Sequence, residues 1–286
     1  MTGYLRSVEA AASYVGKRLG GAARAAVVLG SGLAGVEARL RVKCRIPYAE
    51  IPGFPGGRKP GVRAAAVRGH RGELLFGELG SLDTLLFSGR FHLYQGYSPQ
   101  EIALPIRVAK RVGVRVLIVT NASGGIRDDL VPGDIMLITD HINQLGSNPL
   151  VDVEPGEFGD PFVDMTEPYS RRLIGLARKA AASRPEIGRL AEGVYLATMG
   201  PSYETKAEIA FFSRIGAHAV GMSTVPEVIA AAHEGMEIMG VSAIANKAAG
   251  LSEGKLSHGD VLSAMEKASS RLASLCEGVL SEPGIA

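Results

Sequence analysis

Several segments of this chain are apolar at successive positions, where a half-buried strand would alternate apolar with polar residues. The clearest is VRVLIVT at 114–120, and ELLFGEL (73–79) and TLLFSG (84–89) are similar. A strand with this pattern is buried on both faces, so helices must cover both sides of its sheet. The pattern therefore predicts an α/β fold built on a mostly buried sheet.

Predicted strands and helices follow one another along the whole chain. The other predicted strands are AAVVLG (25–30), VRAAAV (62–67), DIMLIT (134–139), GVYLATM (193–199), AHAVGMS (217–223) and a run within MEIMGVSAIAN (236–246). Helices are predicted near 4–19, 33–40, 99–112, 169–183, 204–214, 225–234 and 258–280. Because no linker interrupts the 286 residues, we expect a single domain spanning 1–286.

Composition excludes several classes of protein. A hydrophobic content of 46% supplies a core without metal or disulfide support, and a net charge of +2 with no long basic run argues against a nucleic-acid partner. Cys44 and Cys276 are far apart and are expected to be free thiols. The histidines lack metal-ligand spacing, since HEGME (233–237) ends in Glu237, so no metal is predicted. With no signal peptide and no long apolar stretch, we expect a cytoplasmic protein without a membrane segment.

The segment VVLGSGLAG (27–35) has the G-x-G-x-x-G spacing of a dinucleotide-binding turn. That function also needs an acidic residue at a second strand end about twenty positions later. The candidate is Glu50, but it lies in RIPYAEIPGFP with prolines on both sides and no apolar strand before it. An NAD site is therefore not predicted. The turn can still direct backbone N–H groups and the Ser31 hydroxyl at an anion, or Ser31 can simply cap the next helix.

Polar side chains follow other predicted strands. Arg90, within SGRFHLYQGYSP (88–99), offers a charged fork suited to phosphate, and His92 points to the same side. Tyr203 and Glu204 place an aromatic ring beside a carboxylate, which suits a flat base carrying N–H donors. Each feature also fits an ordinary turn or core residue.

Two further strand ends carry groups of the same kind. Ser223 lies between a strand and a helix, but Val225 replaces the second glycine of G-x-S-x-G, which argues against a hydrolase nucleophile. The Asn246 amide can both donate and accept hydrogen bonds, which suits one edge of a 6-oxopurine.

With these motifs in order, the chain resembles the trimeric purine nucleoside phosphorylases over roughly residues 25–265. The matching motifs are VVLGSGL, EIPGFP, SGRFHLYQGYS, TNASGG, HIN, GPSYETKAE, AVGMSTVPEV and NKAAG…LSHGDV. The resemblance implies the nucleoside phosphorylase fold, with a central mixed and partly barrel-like sheet flanked by helices. It also implies reversible phosphorolysis of purine (deoxy)ribonucleosides for purine salvage, by a homotrimer that uses inorganic phosphate as co-substrate and no cofactor.

The resemblance implies roles for individual residues. Phosphate would be bound by Ser31, His70, Arg90, His92, the Ala122 backbone N–H and Ser223. The purine would be bound by Tyr203, Glu204, Val220, Met222 and Asn246, and the ribose by Tyr94, Met222, His258 and Phe158. Phe158 would reach a neighbouring subunit's site. The residues implied in catalysis are Asn246, Glu204, His92 and His258.

Three positions bear on specificity. Gln95 stands where YEGY is commoner in the family, which removes a carboxylate near the phosphate, and Ser123 makes NASGG from the commoner NAAGG. Asn246 favours inosine and guanosine, whereas methylthioadenosine phosphorylases usually have aspartate there. A methylthioadenosine phosphorylase, a phosphorylase that accepts 6-aminopurines, and a nucleoside-binding protein without catalysis remain open as alternatives.

Overall fold

The computed structural model describes residues 3–55, 71–251 and 258–285, with side chains from residue 263 onward in the last segment. These segments contain nine strands: β1 Ala25–Val28, β2 Arg41–Pro47, β3 Glu73–Leu79, β4 Leu82–Ser88, β5 Val116–Gly125, β6 Ile135–Gln144, β7 Leu190–Thr198, β8 Ala219–Gly221 and β9 Glu237–Lys247. The α-helices of the same segments are α1 Gly3–Leu19, α2 Gly35–Arg39, α3 Pro99–Arg111, α4 Arg171–Ser183, α5 Lys206–Arg214, α6 Val225–His233 and α7 His258–Leu280.

The strands form one mixed sheet in the order β2-β3-β4-β1-β5-β8-β7-β6-β9, and β9 also pairs with β5. That additional pairing is parallel and runs from Val116↔Glu237 to Gly125↔Lys247. It closes β5, β8, β7, β6 and β9 into a ring, while β2, β3, β4 and β1 extend from it as an open wing. The predicted mixed, partly barrel-like α/β sheet is confirmed.

The centre of the sheet is buried on both faces. Every residue of β1 is buried, as are the first six residues of β5. Helix α7 packs beside α2 and α4, and α3 packs beside α1 and α6. The consecutive apolar positions of these strands are thus explained by helices on both sides of the sheet.

Most predicted elements are present, and β2 is the one described strand that the sequence interpretation missed. Its side chains alternate, with Val42, Cys44 and Ile46 less exposed than the basic residues between them. Within the described residues this strand lies at the edge of the sheet and pairs only with β3, and its alternating exposure shows that one of its faces meets solvent. The predicted strand at 62–67 lies outside the described residues.

Three parallel strands bring separate loops to one edge of the sheet. Strand β1 pairs in parallel with β4 and β5, so the segments after β1 and β4 emerge beside the end of β5. The Gly30 N–H donates to Thr120 Oγ1 at 3.0 Å, and Thr120 Oγ1 donates to the Val28 carbonyl at 2.9 Å. These bonds attach the glycine-rich turn to β5.

Gly30 is required by this close approach. A Cβ atom at this position would lie 2.6 Å from Asn121 Cα, which is backbone and cannot rotate away. The sequence pattern predicted a glycine turn that serves an anion, and the structure gives a packing reason for its first glycine.

We expect Gly30→Ala to lower the free energy of unfolding by about 1–3 kcal/mol, because the added methyl group overlaps β5. The matched control is Gly175→Ala in α4, where a Cβ would meet nothing within 4 Å. That exposed helical glycine should become more stable as alanine by up to about 1 kcal/mol. Urea unfolding of both variants is the measurement, and a neutral Gly30→Ala would contradict the packing argument.

Candidate active site

A cavity of about 720 Å³ opens where the C-terminal parts of β5, β8 and β9 meet the segments that follow β1, β4, β7 and β8. It collects most of the side chains predicted from the sequence. Those lining it are Ser31, Arg90, His92, Tyr94, Ala122, Tyr203, Glu204, Val220, Met222, Ser223 and Asn246. Residues separated by more than 200 positions in the chain thus meet at one site.

Arg90 is the buried cation of the cavity. Its Nη1 donates to Ser223 Oγ at 3.0 Å and lies 3.4 Å from Thr224 Oγ1. Its Nε lies 3.0 Å from Glu227 Oε1, with both side chains 3% exposed. The guanidinium is therefore held by α6 and by the turn that precedes it.

Thr224 has an unusual backbone conformation. Its φ is 75° and its ψ is −50°, and the Val225 N–H donates to the Ser223 carbonyl at 2.8 Å. Together these features define a γ-turn with positive φ, which is rare and strained. Such a conformation persists where surrounding contacts impose it, and it is commonest at functional sites.

The Thr224 hydroxyl is held by side chains on both sides. Asn121 Nδ2 donates to Thr224 Oγ1 at 2.9 Å, and Arg90 Nη1 approaches the same oxygen. Both nitrogens are obligate donors, so the threonine proton is free to bond Ser223 Oγ, 3.1 Å away. Ser223 then accepts from Arg90 and Thr224, which leaves its own proton for a ligand.

A buried polar chain fixes Asn121 in turn. Ser242 Oγ donates to Asn121 Oδ1 at 2.6 Å, and Ser123 Oγ lies 2.6 Å from Ser242 Oγ. This chain joins the paired strands β5 and β9 next to the cavity. It gives Ser123, the departure noted in the sequence, a hydrogen-bonding partner.

Gln95 holds both the backbone and the side chain of His92 through a reciprocal pair of hydrogen bonds. The His92 backbone N–H donates to Gln95 Oε1 at 3.0 Å, which identifies that atom as the amide oxygen. The Gln95 backbone N–H donates in return to the His92 side chain, and His92 Nδ1 lies 3.0 Å from Gln95 Oε1. The ring also stacks on Tyr94, with centroids 4.6 Å apart.

Glu204 and Asn246 supply the polar groups suited to a base. Thr198 Oγ1 donates to Glu204 Oε1 at 3.0 Å and so orients the carboxylate. Asn246 Nδ2 donates one proton to the Lys247 carbonyl at 2.6 Å, which leaves a second N–H and the amide oxygen. Tyr203 lies beside them but is 83% exposed.

Tyr195 supports the Ser223 backbone from within the core. Its hydroxyl accepts from the Ser223 N–H at 3.4 Å, and burial raises the pKa of Tyr195 to about 12. The phenol is therefore neutral at physiological pH.

Three predicted residues are not among those that line the cavity. His70 and the side chain of His258 lie outside the described residues. Phe158 is buried in its own chain, with Arg107 Cζ 3.9 Å from its ring centroid. Its contribution to a neighbouring subunit stays a prediction, which would require the ring to leave Arg107. The exposed aromatic side chain of the same segment is Phe162, at 88%.

Sequence reasoning missed four residues that hold the site together, namely Thr198, Tyr195, Thr224 and Glu227. Thr224 and Glu227 lie within the motif AVGMSTVPEV, so the sequence could have indicated that they lie near the site. Tyr195 takes a buried position in a strand whose first residues alternate between buried and partly exposed, as in many strands. No sequence signal distinguished it from other core residues.

Comparison with known proteins agrees with this geometry. The sequence model described as the phosphorylase superfamily matches residues 24–281. Purine nucleoside phosphorylase 1 of Geobacillus stearothermophilus is 44% identical over 262 residues, which is 91% of this chain and 92% of that protein. The chain belongs to the purine nucleoside phosphorylase family.

Other members of the family give the same result. The purine nucleoside phosphorylase of Mycobacterium tuberculosis is 42% identical over 256 residues, covering 89% of this chain and 88% of that protein. A crystal structure of isoform 2 of the Schistosoma mansoni enzyme, in complex with cytosine and ribose-1-phosphate, superposes with a TM-score of 0.86 at 37% identity. The match covers 97% of this chain and 96% of that one.

Two negative observations apply to the segments that the structure describes. Their helices are all too short or too polar to cross a membrane. Among the side chains described within 3–55, 71–251 and 263–285, no three His, Cys, Asp or Glu residues are grouped so as to hold a metal ion.

Thr224→Val should lower the free energy of unfolding by about 1–3 kcal/mol, because it leaves the buried Asn121 amide without its acceptor. Thr224→Ser keeps the hydroxyl and should stay close to the parent protein. Urea unfolding of the two variants measures the difference. Equal stability of the valine and serine variants would mean that the Thr224 hydroxyl does not hold the turn.

Proposed function

We propose that this protein catalyses the reversible phosphorolysis of purine (deoxy)ribonucleosides, with a preference for inosine and guanosine. One observation carries the proposal. A single cavity contains Arg90 and the Ser223 hydroxyl, which suit an anion, together with Glu204 and Asn246, which suit a 6-oxopurine. The sequence resemblance supports the same assignment of roles.

In this reaction phosphate is itself the nucleophile. A phosphate oxygen forms a bond to C1′ of the sugar as the C1′–N9 bond breaks, and the electron pair of that bond leaves with the purine. No pair of enzymic carboxylates is therefore needed, unlike in ordinary glycosidases. The role of Arg90, Ser223, His92, Ser31 and the Ala122 N–H is to hold the anion in the attacking position.

Negative charge builds on the departing purine, and Asn246 is positioned to stabilise it. Its free N–H suits the oxygen at position six, and its amide oxygen suits a protonated ring nitrogen of the imidazole. Donors directed at developing charge commonly contribute about 2.7–4 kcal/mol to lowering a barrier. The base leaves neutral after taking up one proton, which balances the proton that hydrogen phosphate loses as it becomes the pentose 1-phosphate.

The preference for 6-oxopurines follows from the chemistry of Glu204. An ionised carboxylate only accepts hydrogen bonds, and a 6-oxopurine presents an N1–H donor. A 6-aminopurine presents an N1 lone pair at the same place, which the carboxylate repels. The hydrogen bond from Thr198 keeps one carboxylate oxygen oriented for this discrimination.

The proposal extends to cellular context and assembly. A homotrimer in which Phe158 reaches a neighbouring site, a cytoplasmic location and a role in purine salvage are implied by the resemblance of the sequence. Inosine, guanosine and inorganic phosphate are the expected substrates, with no further cofactor.

Release of hypoxanthine from inosine should depend on added phosphate. Asn246→Ala should lower kcat on inosine by roughly 100- to 1,000-fold while its unfolding free energy stays close to that of the parent protein. A coupled absorbance assay with and without phosphate measures both effects. Release without phosphate would identify a hydrolase, and near-normal turnover of Asn246→Ala would overturn the role of the amide.

Specificity is tested at the same position with a second variant. Asn246→Asp replaces the amide with a group that only accepts, so it should favour a 6-amino group over a 6-oxo group. We expect the ratio of kcat/KM for inosine to that for adenosine to fall by at least about tenfold. Including methylthioadenosine distinguishes a methylthioadenosine phosphorylase, and faster turnover of adenosine than inosine by the parent protein would contradict the proposed preference.

A further inference from the structure

The buried glutamate behind Arg90 has no role in the proposed reaction so far. Glu227 lies in the first turn of α6, three residues after Thr224, and is not among the residues that line the cavity. Its Oε1 meets Arg90 Nε at 3.0 Å. Among the described residues, its other oxygen is buried without a hydrogen-bond partner. Arg90 is therefore the main partner of this carboxylate.

We propose that Glu227 is a positioning residue that fixes the orientation of Arg90 for inorganic phosphate. The inference rests on the proposed function, since it assumes that Arg90 meets phosphate. Guanidinium is a rigid planar fork, and contacts to two of its nitrogens in different directions fix its plane. Glu227 holds Nε from behind, while Ser223 meets Nη1 at 3.0 Å in the cavity wall.

Burial makes this pairing necessary. A buried cation without an opposite charge is strongly destabilising, so an unpaired Arg90 would move toward water. The carboxylate keeps the guanidinium in place before an anion arrives. Because α6 also follows directly from the Thr224 turn, one short segment positions both the arginine and the Ser223 hydroxyl.

Two conservative substitutions distinguish a role of Glu227 in positioning Arg90 from a role in balancing its charge. Glu227→Asp keeps the charge but withdraws the carboxylate by one methylene group, so Arg90 is drawn away from the cavity. Glu227→Gln keeps the length of the side chain and an oxygen beside Nε but loses the charge. If Glu227 acts by fixing the position of Arg90, Glu227→Asp should impair phosphate binding more than Glu227→Gln does.

The chain provides a matched control in a second buried ion pair. Arg107 Nη1 lies 3.0 Å from Glu234 Oε1, and these side chains are 0% and 4% exposed. Glu234 also meets Arg111, and neither Glu234 nor Arg107 lines the cavity. Glu234→Asp and Glu234→Gln therefore disturb a comparable ion pair away from the site.

The experiment measures KM for phosphate and KM for inosine in all four variants. Glu227→Asp should raise the KM for phosphate roughly 10- to 100-fold with less than about a threefold change for inosine. Glu227→Gln should raise it by less than the aspartate variant does. The Glu234 variants should leave the KM for phosphate within about threefold of the parent, even where their melting temperatures fall.

Three results would overturn the inference. The first is a larger rise in the KM for phosphate in Glu227→Gln than in Glu227→Asp, and the second is an equal rise in the KM values for phosphate and inosine. The third is a rise in the KM for phosphate in Glu234→Asp as large as that in Glu227→Asp. Any of these would assign Glu227 to charge balance or to general stability.

A measurement of phosphate binding in the absence of turnover distinguishes a failure of this inference from a failure of the proposed function. The rise in melting temperature with added inorganic phosphate reports binding alone. A parent protein that is stabilised by phosphate but does not cleave inosine would refute the proposed function and still test Glu227, since Glu227→Asp should lose most of that stabilisation. A parent protein that is not stabilised and does not cleave inosine would refute both.

Discussion

The hydrogen bond from Asn121 to the Thr224 hydroxyl joins the two parts of the fold that form the end of the cavity containing Arg90 and Ser223. Asn121 belongs to β5, the strand shared by the open wing and the closed ring of the sheet. Thr224 begins the turn into α6, and its backbone adopts a strained conformation that the isolated segment would not hold. Ser223 and Arg90 both contact the Thr224 hydroxyl that this bond holds.

Sheet topology determines which segments can meet there. Parallel pairing of β1 with β4 and β5 brings the glycine-rich turn and the Arg90 segment to one edge. Pairing of β5 with β9 brings Asn246 to the same edge from the far end of the chain. Without that ring closure, the groups suited to the anion and those suited to the base would lie on separate parts of the sheet.

Much of the fold and of the cavity lining could be predicted from the sequence, because both follow from local patterns. Consecutive apolar positions identified the buried strands, and polar groups after those strands identified most of the lining. The strand β2 was missed, although Val42, Cys44 and Ile46 alternate with basic residues. This alternating pattern is less distinct than the consecutive apolar positions of a fully buried strand. Glu227 and Tyr195 could not be assigned, because their roles depend on partners distant in the chain.

By itself, the sequence determined the α/β class, the positions of most helices and strands, and the residue types available at each strand end. These features depend on periodicity and on the chemistry of neighbouring residues. Only the tertiary structure decided that Gly30 packs on β5, that Asn121 supports Thr224, and that Glu227 lies behind Arg90. Such contacts are set by distances of a few ångströms between segments far apart in the chain, and a linear pattern does not contain those distances.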